Sequence, residues 1–378
     1  VDMQVQDHDL EVFSALVPAE VEDVLDQDGV AVDHLFQTLL AASGTGQFAL
    51  TLTDLEAGAK IDPESLHIGL VTIKGGMSAS KELPNKRDVN TTYEISDLRM
   101  KTEYSDLALG SLSFAFGLSG LNLEKLGQLA HWDVMEEGNP LSAFRDLLAG
   151  MEVNFSVTEM SGNHDWLDLS SLSSLTAGLS LSGVSSSAQD IGLRYEHGGL
   201  QGVKDVPAEF TPENAALGLR LVQAPVQELL FIGLLGGMEA RTQVLALLSG
   251  YGTRLDLAQL DVDLPGGGIK AKGLAFAQDS AGSESGKEPV LEMETDLEIR
   301  GLDYLVQTLT SHIDDQEEIE QVLAIAAFIK LAAEERVTEE GTPIQFLQIR
   351  ANSQGQISAN GKDLSPLFSA AVAQENKE

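Results

Sequence analysis

Apolar positions change their period near residue 48. Between residues 8 and 42 they recur at helical spacing. Leu10, Val12, Phe13, Leu16 and Val17 are followed by Val21, Val24 and Leu25, with Pro18 breaking or restarting the helix. A second run, Val32, Leu35, Phe36, Leu39 and Leu40, ends at Ser43-Gly44, a usual helix stop. From Phe48 the period is two. Phe48, Leu50 and Leu52 alternate with Ala49, Thr51 and Thr53, and Leu66, Ile68 and Leu70 follow. Tyr93 and Ile95 give way to Leu98 and Met100 on the shifted phase, the signature of a bulge. Met151–Val157, Leu167–Leu175, Leu179–Leu181, Ile191–Tyr195, Leu217–Leu221, Leu255–Leu264 and Leu291–Ile299 continue the alternation. Gly/Ser/Asn turns between these segments predict antiparallel pairing, with one apolar and one polar face. Ser170–Ser187 reads as an exposed strand pair, and Asp279–Lys287 as a loop tip.

Strand–turn–helix units recur along the chain. Phe116–Leu126 runs through Gly120-Leu121-Asn122 into a helical pattern, and Leu297–Gln307 does the same through Gly301-Leu302-Asp303. Asn122 and Asp303 are the expected N-caps. A looser copy spans Leu219–Leu229, where Pro225 is expected in the first helical turn. Two further helical segments, Leu229–Leu248 and Ile319–Ala333, are apolar on most sides, so each is buried or faces another apolar body. These signals predict an α+β fold of long twisted antiparallel β-sheets wrapped around amphipathic helices. Two related halves, 1–200 and 201–378, are expected, divided near His197-Gly198-Gly199 and Pro207.

Composition narrows the function classes. The chain has 378 residues, 43% of them hydrophobic, which excludes wholesale disorder. Its net charge of −36, with no basic run, opposes nucleic acid and anionic membrane surfaces. With no cysteine, disulfides, Cys-ligated metals and a Cys nucleophile are excluded. The longest apolar run, Leu229–Met238, is half of the roughly 20 residues a transmembrane helix needs. The chain begins at Val1 and not at Met, so removal of an N-terminal signal or anchor is expected.

The search for reactive groups finds no motif. The loop GxxxxGK[ST] is absent, and Gly44-Thr45-Gly46 lacks the third glycine of a dinucleotide turn. Gly183-Val184-Ser185-Ser186-Ser187 fails the nucleophile elbow at its last position, and no HExxH exists. The seven histidines are scattered. Asp26-Gln27-Asp28-Gly29 resembles a calcium loop, but aligning Gly29 puts Val24 and Leu35 at the first and twelfth ligand positions. The acidic pairs Asp261/Asp263 and Glu292/Glu294 read as the wet face of strands, and His164-Asp165-Trp166 as a loop with an anchoring Trp. No catalytic residue, metal, nucleotide or other cofactor is expected.

The C-terminal region carries a resemblance. Ile299–Leu305 precedes two helices, then come Phe346-Leu347-Gln348-Ile349-Arg350, Gly355–Lys362 and Asp363-Leu364-Ser365-Pro366-Leu367-Phe368. This resembles the tail of the YdgA-like periplasmic proteins of Gram-negative bacteria, a group distantly similar to AsmA-like envelope proteins. The resemblance covers about the last 90 residues and the repeated units. It implies a periplasmic protein, a long antiparallel sheet curled around apolar helices, and lipid handling in the envelope. The leading expectation is a non-enzymatic protein with a hydrophobic groove for lipid. The expected lining is Leu229, Leu230, Phe231, Ile232 and Leu235 on one helix, and Val322, Leu323, Ile325, Phe328 and Ile329 on the other. The alternative is a ligand-free structural module whose partner is another envelope protein, with the same helices as solid core. A third is a hydrolase of envelope polymers. Thermal melts of the purified protein with EDTA, calcium, zinc or ATP are expected to coincide; a rise of several degrees with any one of them contradicts this reading.

Overall fold

The computed structural model describes residues 2–6, 46–58, 65–81, 86–102, 105–123, 125–126, 147–164, 167–184, 186–204, 206–226, 228–229, 240–278, 290–338, 341–354 and 356–364. The helical pattern expected over 8–42, the DQDG segment, the loop tip 279–287 and the tail after Leu364 lie outside them.

The described residues form one antiparallel sheet of sixteen strands. In chain order these are β1 (Asp2–Gln6), β2 (Gly46–Gly58), β3 (Ser65–Ala79), β4 (Arg87–Lys101), β5 (Asp106–Leu121), β6 (Gly150–His164), β7 (Leu167–Ser182) and β8 (Gln189–Gly198). There follow β9 (Asn214–Ala224), β10 (Arg254–Leu264), β11 (Gly267–Gln278), β12 (Val290–Arg300), β13 (Glu334–Val337), β14 (Pro343–Ala351), β15 (Ile357–Ala359) and β16 (Lys362–Asp363). Each strand pairs with its neighbour in sequence, except that β14 pairs with β12 and carries β13 and β15 on its other edge. At about 4.8 Å per strand the sheet is roughly 60 Å wide from β1 to β14. The helices are α1 (Ala240–Tyr251), α2 (Leu302–Ser311) and α3 (Gln316–Ala332).

The sheet crosses the expected division at 200/201 without interruption, because β8 pairs directly with β9. Ser170–Ser187 is not a strand pair: β7 runs unbroken to Ser182 and turns through Gly183 into β8. The two Gly-Leu units do not occupy equivalent places either. Leu121 and Leu302 are both buried, but they stand at opposite ends of the sheet. Strand ends show this, since Ser119 pairs with Gly150 at one end while Arg300 pairs with Gly268 and Ile344 at the other. The reason is parity. Each antiparallel strand reverses the chain, so four strands return it to the same end and three do not. Four strands, β6–β9, separate the first two helical insertions, and three, β10–β12, separate the second from the third.

The repeat that the structure does carry lies in the four-strand blocks β2–β5 and β6–β9. In the first, the Asp88 carboxylate accepts a hydrogen bond of 2.8 Å from the backbone N–H of Gly120, which is left-handed at φ 62°. In the second, the Asp190 carboxylate accepts one of 2.9 Å from Gln223, left-handed at φ 56°. Two residues later each chain enters a helical turn. Asn122 caps the first, its side chain accepting from Lys125 N and its carbonyl from Leu126 N. Pro225 holds the same place in the second and sits at the cap, not inside the turn, since its carbonyl accepts from Leu229 N. Asp303 is not a cap. Gly301 takes that role for α2 at φ 65°, where a Cβ would lie 2.1 Å from the Gly266 carbonyl.

A crease crosses strands β2 to β7. Asp54, Asp97 and Glu159 are left-handed, with φ of 51°, 52° and 52°, at matching places on β2, β4 and β6. Pairing skips one row there: Thr53, Leu70, Ser96, Ser111, Thr158 and Ser174 face one another on one side, and Leu55, Ile68, Leu98, Leu109, Met160 and Leu172 on the other. The slip between Ile95 and Leu98 is one instance of a fault shared by six strands. An odd residue inserted into a two-residue alternation flips its parity, so the apolar set keeps its side across the fault. Val157, Leu109 and Leu172, on both sides of the crease, are all buried.

Asp97 and Glu159 each lean over a glycine on the preceding strand, Gly69 and Gly110. A Cβ on Gly110 would lie 2.9 Å from Glu159 Cβ and 2.8 Å from its carboxylate. Gly110→Ala is therefore expected to cost about 1–3 kcal/mol in urea unfolding through overpacking. Glu159→Gly removes both the clash and the left-handed strain of about 1 kcal/mol, so most of that loss is expected to vanish in the double variant. An equal cost of Gly110→Ala in both backgrounds contradicts this packing.

Candidate functional site

The pleat divides the side chains of the sheet into two unlike faces. On one, a single cross-strand row begins with Leu50, Ile73, Tyr93, Phe114 and Phe155 on five consecutive strands. It continues through Ala177, Tyr195, Leu217, Leu260, Ala271, Leu297 and Leu347 without a charged residue. The next row includes Phe116, Val153, Leu179, Leu193, Leu219 and Leu257. The row on the crease side includes Val71, Ile95, Leu112, Val157, Leu175 and Val262. The rows run across the strands and so along the long axis of the sheet.

Cover over this face is uneven. Val157 is 4% exposed beside the crease and Leu347 is 1% exposed on β14. Between them, Tyr93 is 44%, Phe155 36% and Leu193 44% exposed, with Phe114, Leu179 and Leu255 open to a similar degree. Tyr93 and Phe114 rings pack at 6.2 Å, tilted by 43°. His197 is the one polar member of the crease-side row over β3–β12. Its buried ring is satisfied twice: Nε2 donates to the Pro212 carbonyl at 3.0 Å, and Nδ1 accepts from the Tyr195 hydroxyl at 2.9 Å. This pair is not legible in the sequence, because His197 sits beside a Gly-Gly turn signal.

Helices α2 and α3 close one end of the face. Leu302, Leu305, Phe328, Ile329 and Ala332 pack against Leu297, Ile299, Leu347 and Ile349 of β12 and β14. The ten residues expected to line a groove therefore separate. Phe328 and Ile329 pack against this core cluster, and Val322 is half-buried. Ile325, on the same side of α3, is 59% exposed, while Leu323 is exposed on the opposite side. Leu229 is half-buried in the first turn after Pro225. Leu230, Phe231, Ile232 and Leu235 lie outside the described residues. The structure thus brings Phe328 and Ile329 together against the β12–β14 cluster and leaves the exposed apolar rows on strands that the sequence does not mark as a groove lining. Their alternation was visible; the fact that they align in register was not, because register depends on turn lengths.

The other face is polar. Thr51, Thr72, Glu94, Ser113, Ser156, Thr176 and Glu196 form one of its rows. Acids there meet bases across strands: Asp261 with Lys270 at 2.8 Å, Asp263 with Arg300 at 2.7 Å, and Glu294 with Arg350 at 2.7 Å. The Lys270 pKa is raised chiefly by its hydrogen bond to Asp261, and the Arg254 pKa by its bond to Asp256. A shallow hollow of 440 Å³ lies over Gly178, Gly192 and Gly218 on β7–β9. Among the described residues no three His, Asp or Glu side chains converge as metal ligands, and no helix is long and apolar enough to cross a membrane. Of His164-Asp165-Trp166, only His164 is described, as the end of β6.

No family model, curated protein or solved structure matches the chain.

Asp190 connects the polar face to the turn at Gln223. The Gln223 N–H holds its pKa below the ordinary value, with Arg220 at 2.7 Å adding to the effect and burial opposing it. A carboxylate with a depressed folded pKa contributes stability above its unfolded pKa of about 3.9, and that stability disappears as pH falls through the folded value. Asp190→Ala is expected to lose on the order of 1–2 kcal/mol at pH 7. In urea titrations its gap from the parent should close below pH ~4; a gap that stays constant down to pH 2 contradicts the clasp.

Proposed function

We propose that the chain is a non-enzymatic protein of the periplasm that binds lipid, with the acyl chains lying along the apolar face of the sheet. The observation that carries this is the run of exposed apolar side chains, Tyr93, Phe114 and Phe155 in one row and Leu179 and Leu193 in the next, on adjacent strands. Exposed apolar patches this continuous mark interaction sites. A protein partner ordinarily asks for hydrogen-bonding groups within the contact, and these rows offer almost none. A hydrocarbon chain asks for none. About ten buried CH₂ groups would contribute roughly 8 kcal/mol, comparable with the cost of immobilising a ligand.

The resemblance to YdgA-like and AsmA-like envelope proteins supports the location and the ligand class. So does the charge: at −36 the chain attracts no nucleic acid or nucleotide phosphate, and a zwitterionic or uncharged lipid is the better fit. In this reading the sheet curls about its apolar face, the crease deepens the groove, and Val322 and Ile325 of α3 overhang its covered end. No covalent chemistry and no cofactor enter. The second reading, a ligand-free envelope module that binds another protein, draws on the packing of Phe328 and Ile329 into the closed cluster beside Leu347.

Phe155→Asp and Ile325→Asp test the choice. Both sites are open enough to hydrate a carboxylate, so both variants are expected to fold, as judged by circular dichroism. Native mass spectrometry after expression in the envelope is expected to find lipid on the parent and on the polar-face variant Arg194→Asp. Phe155→Asp and Ile325→Asp should retain at least tenfold less. Lipid-free parent protein, or equal lipid on all four, contradicts the proposal.

A further inference from the structure

The exposed stretch of the apolar face is not uniform along its length, because its unengaged hydroxyl groups gather at one end. Tyr93 and Thr91 stand two residues apart on β4 and so share that face. Tyr93 lies in the row that leads to Phe114 and Phe155, and Thr91 in the row that leads to Phe116 and Val153. Tyr93 is exposed and Thr91 half-buried. Among the described residues neither hydroxyl has a hydrogen-bond partner. Gly75, paired with Thr91 on β3, brings no side chain over them.

Farther along, Phe114, Phe155, Leu179 and Leu193 offer only hydrocarbon. From β5 to β10 the one other hydroxyl in these two rows is that of Tyr195, and it is engaged. It donates to His197, whose other ring nitrogen donates to the Pro212 carbonyl. Past β10 the first row reaches Leu297 and Leu347, where α2 and α3 close the face. The stretch thus has a polar end on β4, an apolar middle and a covered apolar end. From β4 to β8 is four strand spacings, about 19 Å, close to the length of an extended acyl chain of about sixteen carbons.

A hydroxyl covered by hydrocarbon with no acceptor in reach loses its hydrogen bond to water and gains nothing. A plain hydrocarbon laid over Tyr93 imposes that cost. A carbonyl at the head of an acyl chain removes it by accepting from the hydroxyl. Resting on the lipid-binding reading above, we propose that Tyr93 is the positioning residue of the site and that the ligand is an acyl ester. The Tyr93 hydroxyl donates to the ester carbonyl, with Thr91 beside it as a second donor. Because these donors stand at one end only, they also set direction: the chain runs from β4 towards α2 and α3, methyl end leading.

Two single-chain zwitterionic lipids separate this proposal from the reading beneath it: hexadecanoyl lysophosphatidylcholine, and its hexadecyl ether analogue, which lacks only the carbonyl. Calorimetric titration of the full chain, with both lipids kept below micelle formation, is expected to show the ester bound about fivefold more tightly, the contribution of one neutral hydrogen bond. Tyr93→Phe removes a single oxygen at an exposed site and is expected to fold, as judged by circular dichroism. It should bind both lipids with the parent's affinity for the ether. For direction, the absence of cysteine lets a fluorophore be placed at Leu193→Cys. A doxyl quencher at the methyl end of the ester lipid should quench it more strongly than one beside the carbonyl. Equal affinity of the parent for ester and ether, a preference that survives in Tyr93→Phe, or stronger quenching from the carbonyl end overturns this proposal and leaves the lipid reading in place. Binding of neither lipid overturns both.

Discussion

Everything in this molecule depends on keeping one side of a very wide sheet apolar. Strands up to sixteen residues long alternate side chains every residue, and each strand hydrogen-bonds to the next with no crossover until β14. A single register error of one residue would turn a whole strand inside out. The rows from Leu50 to Leu347 and from Phe116 to Leu257 show that register held across the whole width. The hydrophobic effect makes such a face costly to leave in water. Helices α2 and α3 cover one end of it, residues beside the crease are buried, and the aromatic and leucine side chains between them stay exposed.

Two local devices set the geometry. The first is the crease, where left-handed Asp54, Asp97 and Glu159 alternate with Gly69 and Gly110, so that acids lean over the space that glycines leave open. It reverses the pleat in step across six strands, which is why buried residues lie on both sides of it. The second is the aspartate clasp at Gly120 and Gln223. It ends a strand, holds a residue in the left-handed region and starts a helical turn at a fixed place. Both use short polar side chains to pin backbone N–H groups or fill gaps that a hydrophobic side chain would overfill.

Much of this was legible in the alternation. The strands at Met151–Val157 and Leu255–Leu264, the slip between Ile95 and Leu98, the cap at Asn122 and the helix at Ile319–Ala333 all follow from local pattern and local chemistry. The strand Gly267–Gln278 is not legible there, because Gly, Ala and Lys fill the positions where apolar residues would announce a strand. The equivalence expected of the Leu121 and Leu302 units fails for a reason no local pattern contains: the number of strands between insertions decides which end of the sheet each one leaves. The apolar character of Ile319–Ala333 was plain, but its division between Phe328 and Ile329 against the sheet and Leu323 and Leu331 facing outward appears only once the helix is placed.

The central claim is that the two faces of the sheet differ in what they bind, residue by residue. Leu193 and Arg194 are neighbours on β8 and point to opposite faces. A polarity-sensitive fluorophore attached at Leu193→Cys, and separately at Arg194→Cys, reads each face with the rest of the chain unchanged. On adding vesicles of a zwitterionic phospholipid, the account predicts a blue shift at residue 193 and none at residue 194. Equal shifts at both positions, or no shift at 193, would contradict it.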